Sequence, residues 1–555
     1  MKKIIPLVLI FLLALSLRLV DLGNHPPGLT WDEAALGYNA FSILKTGRDE
    51  FGTFMPIIFK SFGDYKPGIY IYLTVPSVAL FGLTEFAVRF PSALFGSLAV
   101  IGIYLLTNLL FPSVSFRAKR SGVEESINIG HIAAAMLALM PWHLHFSRGG
   151  WEVNVFVTMI LFATYFLIRS LSDKKFSILI SLSLFVLSIF TYQAGKLLAP
   201  LIIILILVSN WDSAKIKAVE LKKNKFSLII CLLLLGVTAF YFVQTATGPA
   251  GNRVSRLSIF SYKPKPSAQL IQTDNNNLFS VAVFHSQLDL LVREISSRYL
   301  YHFSPELLFF ENSTPREALP KMGLLYLFDA IWLIFGAIFL LRYEGRRSSL
   351  ILLGLLFCAP IGASLTLSEF SVVRALLMTV PLAIIAALGF YYVWKNHRYI
   401  FLVLFFLYLH NIFLNLDLYF NHSRNFLAPS FNYGYKQAIE RIKTYPASRV
   451  VMTDVYGQPY IYYLFYTKYD PATYQRDNNF ISGGVDVGSV PSVGNVEFHQ
   501  FGTTEISTQK NVLFIGNNVN IPDSFDYHQN NVEFFDQINL PDDLTPVFRI
   551  IKTKS

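Results

Sequence analysis

The side chains best suited to chemistry in this 555-residue chain stand in a few short polar stretches. Thr30-Trp31-Asp32-Glu33 offers two adjacent carboxylates. Beside a bilayer surface such a pair is partly desolvated, and one oxygen can take a proton from an acceptor hydroxyl, so Asp32 and Glu33 are candidate general bases. The same residues also open a helix, with Thr30 and Glu33 as a capping box and Asp32 complementing the dipole. Both readings stand for the pair, the capping one bearing on Glu33. Ala34, Tyr38, Phe41 and Leu44 then form one apolar stripe, and Gly47 stops the helix.

Gly63-Asp64-Tyr65-Lys66-Pro67-Gly68 follows. Pro67 suits the first position of a helix, which puts Lys66 at a helix N-terminus where its charge opposes the dipole. An anion repairs that conflict, because free backbone N–H groups and an ammonium together make a phosphate site. Asp64 would orient Lys66 or bind a sugar hydroxyl; the alternative, an exposed Asp64–Lys66 pair, contributes little. Pro141 to Glu152 is a short turn between apolar runs, dense in hydrogen-bonding groups, where Arg148 either caps the preceding helix or faces a site. His143 and His145 are two apart and diverge on a helix, so they read as no metal pair. In Tyr192-Gln193-Ala194-Gly195-Lys196, Lys196 precedes a helix start or snorkels to the interface, and Tyr192 is a candidate substrate contact. Arg374 repeats the Lys66 arrangement before the run 375–394. Lys66, Arg148 and Arg374 are therefore candidate phosphate partners. Tyr301 and His302 line a groove or belong to an aromatic belt. No metal cluster and no Gly-rich phosphate loop is present in the sequence, so neither a metal nor a nucleotide cofactor is expected.

The elements that position these residues are membrane helices. Hydrophobic residues make up 53% of the chain and charged ones 15%, which excludes a water-soluble globule of this size. Apolar runs near 4–20, 86–111, 129–146, 151–170, 177–193, 197–209, 227–245, 323–342, 349–366, 375–394 and 400–418 predict about eleven spans. The net charge of +10 is no nucleic-acid signal, because the basic residues fall in short loops between those runs. The positive-inside rule makes those loops cytoplasmic, puts the N-terminus on the cytoplasmic side of the cell membrane and leaves 21–85, 246–322 and 419–555 outside. Residues 68–82 are apolar, but counting them as a span breaks this parity; they predict an interfacial helix with Tyr70 and Tyr72 at headgroup level. Met1 to Val20 reads as a retained signal anchor. In 419–555, helices over 435–445 and 459–468 and strands over 449–453 and 511–515 predict a small α/β domain after the transmembrane domain 1–418.

Arg18-Leu19, Pro26-Pro27-Gly28, Trp31-Asp32-Glu33-Ala34, Lys66-Pro67 and Glu85-Phe86-Ala87-Val88-Arg89-Phe90-Pro91-Ser92, in that order, resemble the protein O-mannosyltransferase and aminoarabinose transferase group of GT-C glycosyltransferases. The resemblance is dense over 15–200, looser over 300–395 and faint beyond 419. It implies a GT-C-like, all-α polytopic protein that transfers a sugar, with inversion, from a polyprenyl-phosphate carrier to a hydroxyl of a lipid, glycan or protein. It places the family's essential acid on Asp32 and its phosphate-contacting lysine on Lys66; the residue before that lysine, often Glu in the family, is Tyr65 here. A flippase for lipid-linked sugars would instead show charges within spans and helices broken at midplane. A glycan polymerase or ligase would use a pyrophosphate donor.

Overall fold

The computed structural model describes residues 4–114, 128–172, 178–247, 258–261, 279, 283–284, 286–311, 316–317, 319, 322–367, 371–483, 488–528 and 531–555. Each of the eleven apolar runs contains a helix. In chain order, with the shorter elements between them, the helices are α1 (Ile4–Leu19), α2 (Trp31–Thr46), α3 (Ile69–Phe81), α4 (Glu85–Leu110), α5 (Ile129–Leu139), α6 (Pro141–Ser147), α7 (Glu152–Ser172), α8 (Ile178–Ile189), α9 (Gly195–Ser209), α10 (Trp211–Lys223), α11 (Lys225–Thr247), α12 (Gln287–Tyr301), α13 (Asp329–Arg342), α14 (Arg346–Cys358), α15 (Thr379–Asn396) and α16 (Arg398–Asp417). Among the described residues, six helices are able by length and composition to cross a membrane, and eight if the bent pairs α5/α6 and α9/α10 each count as one span. The chain is thus a mostly helical, multi-pass membrane protein.

Outer surfaces and packed ones separate cleanly. On α11 the residues Leu232, Leu233, Leu235 and Phe240, and on α16 Leu402, Val403, Phe406 and Phe413, are exposed, as lipid-facing residues are. Of the basic residues between the runs 197–209 and 227–245, Lys215, Lys217, Lys222 and Lys223 lie on α10 and Lys225 opens α11; α10 is bent 105° from α9 and exposes Trp211, Ile216 and Val219, the pattern of a helix lying in the interface. At the centre α13 crosses α15 through two glycines. A Cβ on Gly336 would lie 2.0 Å from the Ile385 carbonyl oxygen, and one on Gly389 would lie 1.8 Å from that of Trp332. Membrane helices approach this closely only where small residues meet. Gly389→Ala should force the helices apart and cost about 1–3 kcal/mol, seen as a lower unfolding temperature in detergent.

The loop 21–85 is built from α2, a hairpin and α3. Strands β1 (Ile58–Ser61) and β2 (Asp64–Pro67) pair antiparallel, Phe59 opposite Lys66 and Ser61 opposite Asp64. Phe62 and Gly63 between them both have positive φ (52° and 85°), the pairing a two-residue hairpin turn demands. This corrects the expectation for Lys66: it stands on a strand, and α3 begins only at Ile69 after its cap Gly68. The Pro67-Gly68 step ends a strand here instead of opening a helix. α3 has 13 residues, about 20 Å, short of the hydrocarbon thickness. Tyr72 is half-buried, but Tyr70 is fully buried with its hydroxyl donating to the Val88 carbonyl (2.9 Å), so it belongs to the packing and not to a headgroup belt.

Residues 424–555 form a mixed sheet with helices α17 (Tyr435–Thr444) and α18 (Pro459–Thr467). Its strands are β3 (Arg449–Met452), β4 (Ser492–Val493), β5 (Val496–Phe498), β6 (Val512–Gly516), β7 (Val532–Asn539) and β8 (Pro546–Thr553), ordered β4-β5-β3-β6-β8-β7, with β3 parallel to β5 and β6. This region and α2 share one apolar core, in which Tyr38 and Ala40 meet Tyr460, Tyr462 and Phe465. α2 is consequently buried on nearly every side, and the single stripe read from the sequence understates its packing. Hydroxyls of Tyr38 and Tyr462 donate to the Tyr469 and Leu29 carbonyls (3.1 Å each) across that junction.

Glu50 is sealed at the same junction. Its Oε1 accepts from Asn39 (3.1 Å), while Oε2 is buried without a partner. Burial pushes this acid up to about 8. The folded state therefore holds a proton that the unfolded chain loses near the ordinary glutamate range, so stability falls as pH rises from there through about 8. Glu50→Gln should remove that slope and raise the unfolding temperature at pH 8 relative to the wild type; a parallel pH profile would show that Glu50 is not titrating.

Candidate functional site

The frame of the site is Glu33. Thr30 and Glu33 form the capping box of α2: the Glu33 N–H donates to the Thr30 hydroxyl (3.2 Å), and the Thr30 N–H donates to Glu33 Oε2 (3.0 Å). The same carboxylate accepts from Arg89 Nε (2.9 Å) and from the Gly150 N–H (2.8 Å). A Cβ on Gly150 would stand 3.0 Å from Glu33 Cγ, so a residue without one is what lets the backbone come this close. Arg89, fully buried in α4, spends its remaining N–H groups on the carbonyls of Leu22 (3.1 Å), Pro26 (2.8 Å) and Gly28. Burial would push the Glu33 acid up, but the Arg89 charge and these hydrogen bonds outweigh it and hold it below its ordinary value. With both oxygens engaged, Glu33 locks 22–33, α4 and the 149–150 turn together.

One residue earlier, Asp32 points the other way along the first turn of α2. Its Oδ1 accepts from the Lys66 ammonium and its Oδ2 from Arg316 Nη2 (3.0 Å). Side-chain exposures of 31% for Asp32, 19% for Lys66 and 31% for Arg316 leave the triad open on one side. Burial alone would raise the Asp32 acid; the Lys66 ammonium and the Arg316 guanidinium outweigh it and hold the acid well below the ordinary carboxylate range. Arg316 is steadied by the Trp151 ring, 4.9 Å from its guanidinium carbon. Glu152, at the first position of α7, lies within electrostatic reach of Lys66, Asp32 and Arg316. Glu317 couples to Arg316 and Arg374, and the Tyr192 hydroxyl to Arg374, Glu152 and Glu317. Arg374 itself donates to the Thr366 hydroxyl (3.2 Å) just before α15.

The residues selected from sequence thus separate. Asp32 and Lys66 pair directly, and Tyr192 and Arg374 lie within electrostatic reach of each other and of Glu317 beside Arg316. Asp64 is buried in the hairpin opposite Ser61. Lys196 is the second residue of α9, its ammonium 5.1 Å from the centre of the Tyr241 ring. Tyr301 closes α12 half-buried, and His302 is buried, donating to the Arg298 carbonyl (2.7 Å), which seats it in the packing of that helix. Arg148 is fully buried, donates to the carbonyls of Leu17 (2.7 Å) and His25 (3.1 Å), and lies over the Phe420 ring. Pro141–Ser147 is the helix α6 and not part of a turn, and Arg148, just past its end, fastens α1 to it through these bonds. Arg316, Glu152 and Arg89 are absent from the sequence selection. Arg316 was findable by the rule that selected Arg374, a cation shortly before an apolar run, here 323–342.

No protein-family model and no curated protein matches this sequence. Solved structures do. ArnT from Cupriavidus metallidurans bound to undecaprenyl phosphate aligns over 98% of this chain and 97% of its own, with a TM-score of 0.50 and 12% identity. The apo state of that protein gives 0.49 and 12% over the same shares. The archaeal oligosaccharyltransferase AglB from Archaeoglobus fulgidus, in complex with an inhibitory peptide and a dolichol-phosphate, gives 0.44 and 13% over 93% of this chain and 69% of its own. Identity this low speaks to fold alone, and for the fold the undecaprenyl phosphate complex is decisive because it matches nearly end to end. The chain has the fold of the GT-C membrane glycosyltransferases.

Proposed function

We propose that this protein is an inverting glycosyltransferase that moves a sugar from a polyprenyl phosphate to an acceptor hydroxyl of a lipid, glycan or protein. The observation that carries the reading is the open triad in which one carboxylate, Asp32, occupies two cations, Lys66 and Arg316. Support also comes from the fold shared with ArnT, whose structure was solved with undecaprenyl phosphate. In the topology we adopt, about eleven helices span the membrane, the N-terminus is cytoplasmic, and the triad and a C-terminal domain of residues 419–555 lie outside.

The mechanism follows from competition for the cations. A donor phosphate arriving at Lys66 and Arg316 displaces the Asp32 carboxylate, since two anions held side by side on the same cations repel each other. Losing these partners leaves burial as the dominant influence on Asp32, and its basicity rises as the donor arrives. Asp32 then takes the acceptor's proton while the hydroxyl oxygen attacks the anomeric carbon on the face opposite the phosphate. The bond from that carbon to the phosphate oxygen breaks, and the phosphate leaves with the electron pair, stabilised by Lys66 and Arg316 with Arg374 nearby. Mass spectrometry of surface glycans and lipid-linked sugars in cells with and without the protein tests this reading. A polyprenyl-phosphate sugar should accumulate without it and disappear on complementation; identical lipid-linked pools would overturn it.

A further inference from the structure

α15 has 18 residues, about 27 Å of helix. Arg374 precedes one end of it, and at the other end lies a cavity of about 520 Å³. Arg342 and Tyr343 from the end of α13, Glu344 beyond it, and Tyr391, Tyr392 and Lys395 from the end of α15 line this space. Arg342 and Lys395 against Glu344 leave one net positive charge. Arg342 donates to the Tyr392 hydroxyl oxygen (2.6 Å), leaving that hydroxyl's own proton for another acceptor. The Lys395 ammonium stands 5.8 Å from the centre of the Tyr391 ring, and Tyr343 stacks on Phe339 (5.5 Å between centroids). Cations at helix C-termini complement the dipoles, which accounts for Arg342 and Lys395 being there. It does not account for a headgroup-sized space between them, walled by aromatic rings and reached by a tyrosine hydroxyl.

The surroundings indicate what enters. Leu341 and Tyr399, at the neighbouring helix ends, are 87% and 89% exposed, and the apolar face of α16 continues from there. The cavity therefore opens where lipid-facing surface gives way to charge, the level of phosphate headgroups.

We propose that this cavity binds a lipid-borne phosphate from the leaflet opposite the Asp32 site. The single net charge fits a phosphodiester, so an anionic phospholipid is the expected source. Native mass spectrometry of the purified full-length protein in detergent tests it with phosphatidylglycerol, phosphatidylcholine, undecaprenyl phosphate and inorganic phosphate. Phosphatidylglycerol should bind in preference to phosphatidylcholine, and R342Q/K395Q should weaken it by roughly tenfold or more. Y392F should weaken it less. R346Q/R347Q, which removes charge from the same face without lining the cavity, should leave it unchanged. Preference for undecaprenyl phosphate, lost in R342Q/K395Q, would keep the site and name the other lipid. Equal loss in both double variants, equal binding of phosphatidylcholine, or displacement by inorganic phosphate at matched concentration would overturn the proposal. Should R342Q/K395Q fail to fold, Y392F against R346Q/R347Q decides in its place.

Discussion

Asp32→Asn should lower turnover by roughly a hundred- to ten-thousand-fold, the range for loss of a positioned general base, while the protein stays folded and still binds donor. The amide keeps the shape of the side chain and can still accept from Lys66 or Arg316, so the first turn of α2 is undisturbed. What is lost is the proton acceptor. The check is transfer of radiolabelled sugar from the cell's own lipid-linked pool into acceptor, per folded molecule. Retained turnover in the variant would move the base elsewhere, with Glu152 next in position because it shares the field of Lys66 and Arg316.

Glu33→Ala should behave in the opposite way. Removing this carboxylate leaves Arg89 charged and fully buried, and strips acceptors from Thr30 and Gly150. Breaking a buried ion pair from one side costs about 3–5 kcal/mol. The expected result is a large fall in unfolding temperature and in the yield of folded protein. Turnover per folded molecule should fall far less than in Asp32→Asn. An unchanged unfolding temperature would mean that the 22–33 segment, α4 and the 149–150 turn are not held by this carboxylate. Two adjacent acids are thus separated by what each would break: Glu33 the frame, Asp32 the chemistry.

How much of this was legible beforehand depends on the kind of residue. The helices were readable because a long apolar run in lipid has only one way to satisfy its backbone, and every one of the eleven runs holds a helix. The capping box at Thr30 and Glu33 was readable because it is local, made by residues three apart. Most elements chosen in the C-terminal region follow the same logic, with strands at Arg449–Met452 and Val512–Gly516 and helices at Tyr435–Thr444 and Pro459–Thr467. The hairpin around Lys66 was not, because Pro67-Gly68 signals a break without saying whether a strand ends or a helix begins.

Charged partners were the least legible, since ion pairs join residues far apart in sequence. Asp32 and Arg316 are separated by 284 positions and Glu33 and Arg89 by 56. Arg148 and Arg316 look alike in sequence, each beside an apolar run. Only packing tells them apart, burying the first among carbonyls and leaving the second half-open against Trp151. Several residues that carry the resemblance are tied together physically: Arg89 bonds Glu33 and the carbonyls of Pro26 and Gly28, Gly150 joins through Glu33, and this knot fixes where Asp32 stands.

In the proposed mechanism Lys66 and Arg316 are a phosphate site which Asp32 occupies until the donor arrives. The most direct measurement is equilibrium binding of undecaprenyl phosphate to the wild type, Asp32→Asn, Lys66→Gln and Arg316→Gln in detergent. With the competing carboxylate removed, Asp32→Asn should bind roughly tenfold more tightly than the wild type, and each cation variant roughly tenfold more weakly. Equal affinity in all four proteins would contradict the account.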